Sequence, residues 1–312
     1  MNKRLTIGFI GFGEAGFNLA KGLRVAGVEE IFAYDINTHA PRLGEKIQQR
    51  ARESGTTLLD SSDDLARASD ILLSTVTANE AAEAATQTSP FLESRHLYAD
   101  LNSISPALKQ SIERLVKSRG ARFVEAAIMS PVPAHGHRVP MLLGGPDAQM
   151  LVDLLAPYGM HLEVISDLVG AAAATKMCRS IIIKGLEALA LECVLAAAPY
   201  GADERVFASL DETFPGFRWR QRADYMVSRV VEHGERRARE MEEVAETLRA
   251  IGVEPIMAEA TARRQDWCAR LNLRAHFADE VPESYRELLA AMANILGEKP
   301  IDAAKVLRPG DV

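Results

Sequence analysis

Short apolar runs alternate with longer amphipathic stretches through the first half of the chain. Runs rich in β-branched and aromatic residues predict strands at 5–10, 31–34, 56–59, 71–76, 97–101, 123–128, 139–143 and 161–165. Between them, helical periodicity predicts helices at 17–26, 41–53, 62–67, 80–88, 106–119 and 147–155. This alternation is typical of an α/β, doubly wound, largely parallel sheet covered by helices on both faces.

The pattern changes after residue 167, where strand signals stop. Helical stretches are predicted at 203–210, 219–231, 235–251, 255–271 and 284–296. We therefore expect two domains: an α/β domain over 1–167 and an all-helical domain for substrate binding and dimerisation over 168–312.

The helical part opens on a long apolar segment, 168–200, which has almost no helix-breaking residues. Its apolar positions surround the helix, so we expect burial on nearly all sides. Lys176, Arg179 and Ser180 interrupt it on one face. Desolvation would lower the pKa of Lys176 and suit it to proton transfer, but on helix evidence alone a snorkelling lysine is the better interpretation. Ser180 could bond back to the helix, and Arg179 could pair with an acidic substrate or a structural carboxylate.

Composition excludes several function classes. A formal charge of −7 and a pI near 5.6 argue against nucleic-acid binding. The three cysteines are too few and too scattered for a disulfide framework or a zinc site, and the histidines suggest no metal site. We find no signal peptide or membrane span, and expect a cytoplasmic protein without a membrane partner.

A glycine-rich motif lies between the first strand and the first helix. Gly11, Gly13 and Gly16 form G-x-G-x-x-G, which permits a tight turn and close approach of a pyrophosphate to a helix N-terminus. The second strand ends at Asp35, where a carboxylate can accept from the ribose hydroxyls of NAD and would repel the extra phosphate of NADP. Together these features predict a Rossmann-type dinucleotide site that prefers NAD.

Three segments carry a resemblance to a known family. The run from Gly8 to Leu23, the D-L-N-S-I-S-P segment at 100–106, and Gly170-x5-Lys176-x3-Ser180 resemble motifs of the β-hydroxyacid dehydrogenase superfamily, which includes 6-phosphogluconate and 3-hydroxyisobutyrate dehydrogenases. The stretch 233–243 resembles a subgroup whose C-terminal helical domain has no assigned role.

The resemblance implies a role for each matching residue. Lys176 would be the general acid/base, and substrate would contact Ser103, Ser130, Arg179 and Ser180. The cofactor would contact Gly11, Phe12, Gly13, Glu14, Ala15, Gly16, Asp35, Thr75, Val76 and Thr77. The chain departs from the family at Ser180, where asparagine is usual, and at 129–131, where Met-Ser-Pro replaces Ser-Gly-Gly. Reaction class therefore carries over better than substrate identity.

Three functions agree with these patterns. The leading one is NAD-dependent hydride transfer to or from a small, anionic hydroxy acid, with decarboxylation as a step that the sequence leaves open. The second is reduction of an imine or another carbonyl-like group, and the third is a non-catalytic nucleotide-binding module. The long apolar helix also predicts a homodimer.

Overall fold

Eight strands form one sheet in the order β3-β2-β1-β4-β5-β6-β7-β8. The computed structural model describes residues 5–278 and 280–296. The strands are β1 Thr6–Ile10, β2 Glu30–Tyr34, β3 Thr57–Leu58, β4 Ile71–Ser74, β5 Leu97–Asp100, β6 Arg122–Ile128, β7 Met141–Gly144 and β8 Leu162–Ser166. All neighbouring pairs are parallel except β6 and β7. The predicted α/β doubly wound fold is thus confirmed, and strand bounds differ by a few residues.

Helices cover both faces of this sheet. They are α1 Glu14–Val25, α2 Leu43–Ser54, α3 Ser62–Ala68, α4 Ala81–Thr88, α5 Pro106–Lys117, α6 Val132–His135 and α7 Ala148–Leu155. A hydrophobic core lies on each side of the sheet, and successive side chains of a strand point alternately into one core and the other. Ile71 and Leu73 of β4 pack on one side of the sheet, while Leu72 between them packs on the other.

The antiparallel pairing of β7 was not predicted. The connection from Ile128 to Met141 holds only the short helix α6 and a 3-10 turn, Gly136–Arg138. A parallel pairing needs a crossover, usually a full helix, so this short connection returns the chain antiparallel. The turn packs on α1, with the imidazole of His137 against Gly22.

Helices make up the rest of the described chain. They are α8 Ala171–Ala197, α9 Asp203–Thr213, α10 Trp219–Ala250, α11 Ile256–Arg270, α12 Leu273–His276 and α13 Tyr285–Leu296. Their core includes Leu191, Val227, Tyr285 and Leu288. In the part of the chain that the structure describes, no helix is long and apolar enough to cross a membrane.

One helix, α10, replaces the two that the sequence predicts at 219–231 and 235–251. The interval 232–234 between them is predicted to lie outside the helices, and that prediction is wrong because His233 and Gly234 both lie inside α10. Gly234 serves close packing: a Cβ there would lie 3.0 Å from the carbonyl oxygen of Gln265 on α11. Glycine here lets two helices approach closely, which a single sequence does not distinguish from a break.

The long helix α8 departs from the expectation of burial on nearly all sides. Leu191 and Val194 are fully buried, but Ile182 is 63% exposed and Leu189 is 54% exposed. Thr175, Ile182, Leu189 and Ala196, at seven-residue intervals, all lie on the exposed side. One chain therefore covers one face of α8 and leaves an apolar stripe on the other.

Contacts divide the chain into two compact units, 1–177 and 178–312, called here the sheet unit and the helical unit. The sequence places the domain boundary between 167 and 168, at the change of composition. The difference arises because the first turns of α8 are bound to the sheet: the carboxylate of Glu125 accepts from the backbone N–H groups of Gly170 and Ala172.

Candidate active site

The glycine-rich turn joins β1 to α1 and leaves room for a ligand. Gly11 has φ +81°, and a Cβ at Gly16 would lie 2.9 Å from the Gly11 carbonyl oxygen, so side chains are excluded at both positions. A Cβ at Gly13 would meet nothing within 4 Å. The turn is therefore tight on the protein side and open at Gly13, beside the free N–H groups at the start of α1.

Asp35 ties the end of β2 to this turn. Its Oδ2 accepts from the backbone N–H of Phe12 at 2.7 Å, and its Oδ1 accepts from that of Asn37 at 2.9 Å. Thr75, after β4, braces the turn from the other side by donating to the Gly11 carbonyl at 2.7 Å. Each carboxylate oxygen has more than one lone pair, so Asp35 can hold the turn and still accept from a ligand hydroxyl.

A cavity of about 610 Å³ opens over this turn. This volume suits a small-molecule or cofactor site. Seven of the ten residues predicted to bind cofactor line it, namely Gly11, Gly13, Glu14, Asp35, Thr75, Val76 and Thr77. Phe12, Ala15 and Gly16 do not: the Phe12 side chain is fully buried in the core, and Gly16 packs beneath the turn. The cavity, the open Gly13 and the acceptor Asp35 fit a dinucleotide.

Residues predicted to bind substrate follow neighbouring strands of the sheet. Ser103 follows β5 and Ser130 follows β6, at the carboxyl edge that also carries the glycine-rich turn. Both are partly exposed. Ser103 does not cap α5, because Ser105 does so by accepting from the N–H of Leu108.

A buried polar network supports the Ser103 loop. Lys109 donates to the carbonyl and carboxylate of Asp100 and to the carbonyl of Ala126, and its side chain is 1% exposed. Asp100 in turn accepts from the backbone N–H of Asn102, whose amide also donates to Ser74. The loop is thus fixed on both sides of Ser103.

Lys176 lies in the second turn of α8 and is partly exposed. The helix that carries it begins directly after Gly170, whose φ of +111° favours glycine. Glu125, fully buried in β6, accepts from the N–H groups of Gly170 and Ala172 with one oxygen, at 2.8 Å each. The negative carboxylate also complements the positive end of the helix dipole. The start of the lysine-bearing helix is therefore held by β6.

The two other residues of α8 that are predicted to bind substrate differ in their surroundings. Ser180 accepts a hydrogen bond from the ammonium of Lys184 at 3.0 Å and makes no bond back to the helix among the described residues. Arg179 is exposed, and it forms no ion pair within residues 5–278 and 280–296. Of the alternatives for Ser180, the hydrogen bond back to the helix is therefore not observed among the described residues.

Comparisons with known proteins extend this picture. Residues 6–152 match the NAD binding domain of 6-phosphogluconate dehydrogenase, and residues 197–268 match a domain of unknown function, DUF1932. The crystal structure of a conserved hypothetical protein from Sinorhizobium meliloti is 35% identical, covers 94% of this chain and 97% of its own, and has a TM-score of 0.77. This chain belongs to the β-hydroxyacid dehydrogenase superfamily.

Two further relatives of this β-hydroxyacid dehydrogenase-type chain are named for, or compared with, hydroxyacid dehydrogenases. A conserved protein of unknown function with structural similarity to 3-hydroxyacid dehydrogenases is 32% identical over 86% of this chain and 99% of its own, with a TM-score of 0.72. The mitochondrial 3-hydroxyisobutyrate dehydrogenase of Drosophila melanogaster is 26% identical over 68% of this chain and 64% of that enzyme. The predicted family and its subgroup with a distinct C-terminal domain are confirmed.

Sequence reasoning missed three residues of this superfamily member's candidate site. Glu125 is a charged residue inside the buried strand β6, and Lys109 and Lys184 are lysines on buried helix faces. A charge among apolar neighbours was the available signal, since buried charges occur where a partner is fixed. The partner of each charge lies elsewhere in the sequence or on another element. A charged residue in an apolar segment therefore indicates that a partner exists, but it does not predict which residue that partner is.

Proposed function

We propose that the protein is an NAD-dependent oxidoreductase that interconverts a small hydroxy acid and its carbonyl form, with Lys176 as general acid/base. The observation that carries the proposal is the anchored start of α8, where Glu125 holds the lysine-bearing helix to β6. The same sheet edge presents the dinucleotide cavity and the Ser103 loop.

The chemistry follows from residue types. When bound, the nicotinamide ring supplies the acceptor or donor of hydride. In the oxidation direction, the Lys176 amine takes the proton of the substrate hydroxyl, and in the reduction direction its ammonium returns that proton to the carbonyl oxygen. Ser103 and Ser130 supply hydroxyl donors for the substrate, and Arg179 supplies a cation for its carboxylate.

The cofactor preference is proposed to be NAD. Asp35 lines the cavity at the end of β2, and Ile36 and Asn37 beside it bring no positive charge. A carboxylate there favours two free ribose hydroxyls over a 2′-phosphate. Arg42 does not line the cavity, whereas Lys46 and Arg50 do and are the cations placed to oppose this preference.

We further propose a homodimer formed through α8. Ile182, Ile183 and Leu189 leave an apolar stripe of the helix exposed. Soluble monomers seldom leave large contiguous apolar patches in water. In a two-fold symmetric dimer, the stripe of one chain would pack against the same stripe of the second chain and cover it.

A turnover screen tests the activity. Purified protein is mixed with NADH or NADPH and aldehydes, β-keto acids or imines, and with NAD or NADP and hydroxy acids, while absorbance of the reduced nicotinamide is followed. We expect turnover with hydroxy acids and their carbonyl forms. Turnover of imines alone would replace the proposal with a reductase, and cofactor binding without turnover of any substrate would favour a nucleotide-binding module.

A further inference from the structure

Two consecutive residues of α5 bond to two different segments of the candidate site. Lys109 donates to the carbonyl and carboxylate of Asp100, which ends β5 three residues before Ser103. Gln110 donates through its side-chain amide to the carbonyl of Val169 at 3.0 Å, and Val169 lies two residues before α8 begins. Consecutive residues of a helix point about 100° apart, so one turn of α5 can hold both segments.

The turn into α8 also packs closely on the first residues of α5. A Cβ at Gly170 would lie 3.2 Å from the side-chain nitrogen of Gln110 and 3.2 Å from the Cβ of Pro106. A side chain at that position would therefore push α5 and the turn apart. Pro106 opens α5 and Ser105 caps it, so the contact lies directly after the Ser103 loop.

The sheet holds the same turn through groups of the opposite kind. Glu125 accepts from the N–H groups of Gly170 and Ala172, whereas the side-chain amide of α5 donates to a carbonyl. Room for the Glu125 carboxylate depends on Gly144 of β7, because a Cβ there would overlap the carboxylate and lie 2.9 Å from the carbonyl oxygen of Leu168. The backbone from 168 to 172 is thus bound by β6 and by α5 at the same time.

The contacts of α5 connect the Ser103 loop to the helix that carries Lys176. The loop leads into the N-terminus of α5, and Gln110 ties α5 to the turn from which α8 starts. Ser103 and Lys176 both belong to the sheet unit. Reaction rates depend steeply on the alignment of the reacting groups, and a displacement of about 1 Å can cost about 100-fold. A contact that fixes the start of α8 against the substrate loop therefore acts on the rate.

We propose that Gln110 is a positioning residue that fixes the start of the Lys176-bearing helix against the Ser103 loop. The inference deepens the proposed function and rests on it for the roles of Lys176 and Ser103. Gln110 is exposed, and water can replace its hydrogen bond to the Val169 carbonyl when the side chain is removed. Loss of the side chain should therefore alter alignment while changing stability little.

The test compares two substitutions of Gln110 in the full-length protein. Gln110→Leu removes the donor at similar size and should lower kcat roughly three- to tenfold, as expected for the loss of one hydrogen bond. Gln110→Lys keeps a donor and should retain kcat within about twofold of the parent. The NADH affinity of both variants should equal that of the parent, and Tm should change by less than about 3 °C. Kinetics use the hydroxy acid with the highest turnover in the screen above.

Two controls separate this effect from general changes at a helix surface. Gln149→Leu makes the same substitution on α7, where the amide bonds to Asp153 of the same helix at 2.9 Å. Lys117→Met removes an exposed ion pair of α5 itself, since that lysine pairs with Glu113 at 2.7 Å. Both controls should retain the parent kcat. Equal kcat in Gln110→Leu and Gln110→Lys would overturn the inference, and so would a kcat loss in either control as large as that of Gln110→Leu.

Hydrogen exchange distinguishes failure of this inference from failure of the proposed function. In the protein without ligand, the amides of 170–177 should exchange roughly three- to tenfold faster in Gln110→Leu than in the parent, and at the parent rate in Gln110→Lys. If the parent turns over no hydroxy acid, the dehydrogenase proposal fails, and these exchange rates decide the role of Gln110. Equal exchange in all three proteins would show that Gln110 does not fix the start of α8.

Discussion

Each unit of the protein buries a lysine, and the two lysines differ in how their ammonium groups are satisfied. In the sheet unit, Lys109 places all three donors on protein acceptors, two on Asp100 and one on the carbonyl of Ala126. In the helical unit, Lys184 has Glu240 and the hydroxyl of Ser180, which retains a proton of its own. The Lys109 network is closed and holds a loop in place, whereas the Lys184 network is open at the Ser180 hydroxyl among the described residues.

Burial alone does not reveal this difference between the two lysines. Both lysine side chains are nearly covered, at 1% and 10% exposure. The two lysines differ in whether every hydrogen-bond donor of their network has an acceptor in the protein. Lys109 ends on carbonyl and carboxylate oxygens, but the path from Lys184 through Ser180 ends on a proton without a protein acceptor among the described residues.

The largest effect is expected at Lys176, the lysine proposed as general acid/base. Lys176→Met should lower kcat about 10²–10⁴-fold while leaving NAD affinity nearly unchanged, because the group removed transfers a proton and the cofactor cavity is lined by other residues. Steady-state kinetics and fluorescence titration of NADH measure the two quantities. Activity of the folded variant within tenfold of the parent would leave Lys176 as a snorkelling lysine only.

Lys109 should affect stability most. Lys109→Met leaves the Asp100 carboxylate buried without its cation, and should lower the free energy of unfolding by about 3–5 kcal/mol in urea titrations. Lys117→Met, on an exposed pair, should cost no more than about 0.5 kcal/mol. Combining Lys109→Met with Asp100→Asn should recover part of the loss. A cost at Lys109 as small as that at Lys117 would contradict the closed network.

The apolar stripe of α8 provides the next test. Ile182→Asp should raise the dissociation constant of the proposed dimer at least about 100-fold, because the buried isoleucine is lost from both copies. Light scattering or sedimentation over a concentration series measures it. Val25→Asp is the control, since Val25 is 84% exposed on the sheet unit and should leave the dimer intact. A parent protein that stays at its 34.0 kDa chain mass at micromolar concentration would end the dimer proposal.

The sequence predicts the sheet unit well because its signals are local. Strand runs, Gly11 and Gly13 in the turn, and Asp35 at the end of β2 are all defined by neighbours within a few positions. The bond from Asp35 to the Phe12 N–H was not foreseen, since it depends on how two strand ends meet in space.

The helical unit was predicted less well for the same physical reason. Helices were found by periodicity, but Gly234 was interpreted as a break because its close contact with α11 lies outside any local window. The run at 235–246 alternates charges at helical spacing, a pattern typical of a solvated face, yet Arg237 is 8% exposed and pairs with Glu187 of α8. Long-range ion pairs leave no periodic trace, so Lys184 and Glu240 could not be paired from the sequence.

Asp35 tests the sheet unit at its ligand-facing end. Asp35→Ala removes an acceptor for ribose hydroxyls and the anchor of the Phe12 N–H, so NAD affinity should fall roughly tenfold. NADP affinity should fall less, because repulsion of the 2′-phosphate is relieved at the same time. Fluorescence titrations with NADH and NADPH give both values. Equal or tighter NADPH binding by the unmodified protein would reverse the proposed preference.

The smallest effect is expected at His233, where the helical unit holds an imidazole in its neutral form. Burial, with Arg229 and Arg236 nearby, lowers the pKa of His233 to about 4, and the adjacent Glu232 only partly opposes this. Between that value and the ordinary value of 6.5, the unfolded chain binds more protons than the folded one. The contribution to stability is therefore present above pH 6.5 and is lost as the pH falls towards 4. In His233→Gln, the unfolding free energy should therefore decrease less steeply as the pH falls over this range. The change in slope should be smaller than about 1.4 kcal/mol per pH unit, which is the slope for one full proton. Urea titrations of both proteins at several pH values measure the slopes, and parallel curves would show that His233 is protonated alike in both states.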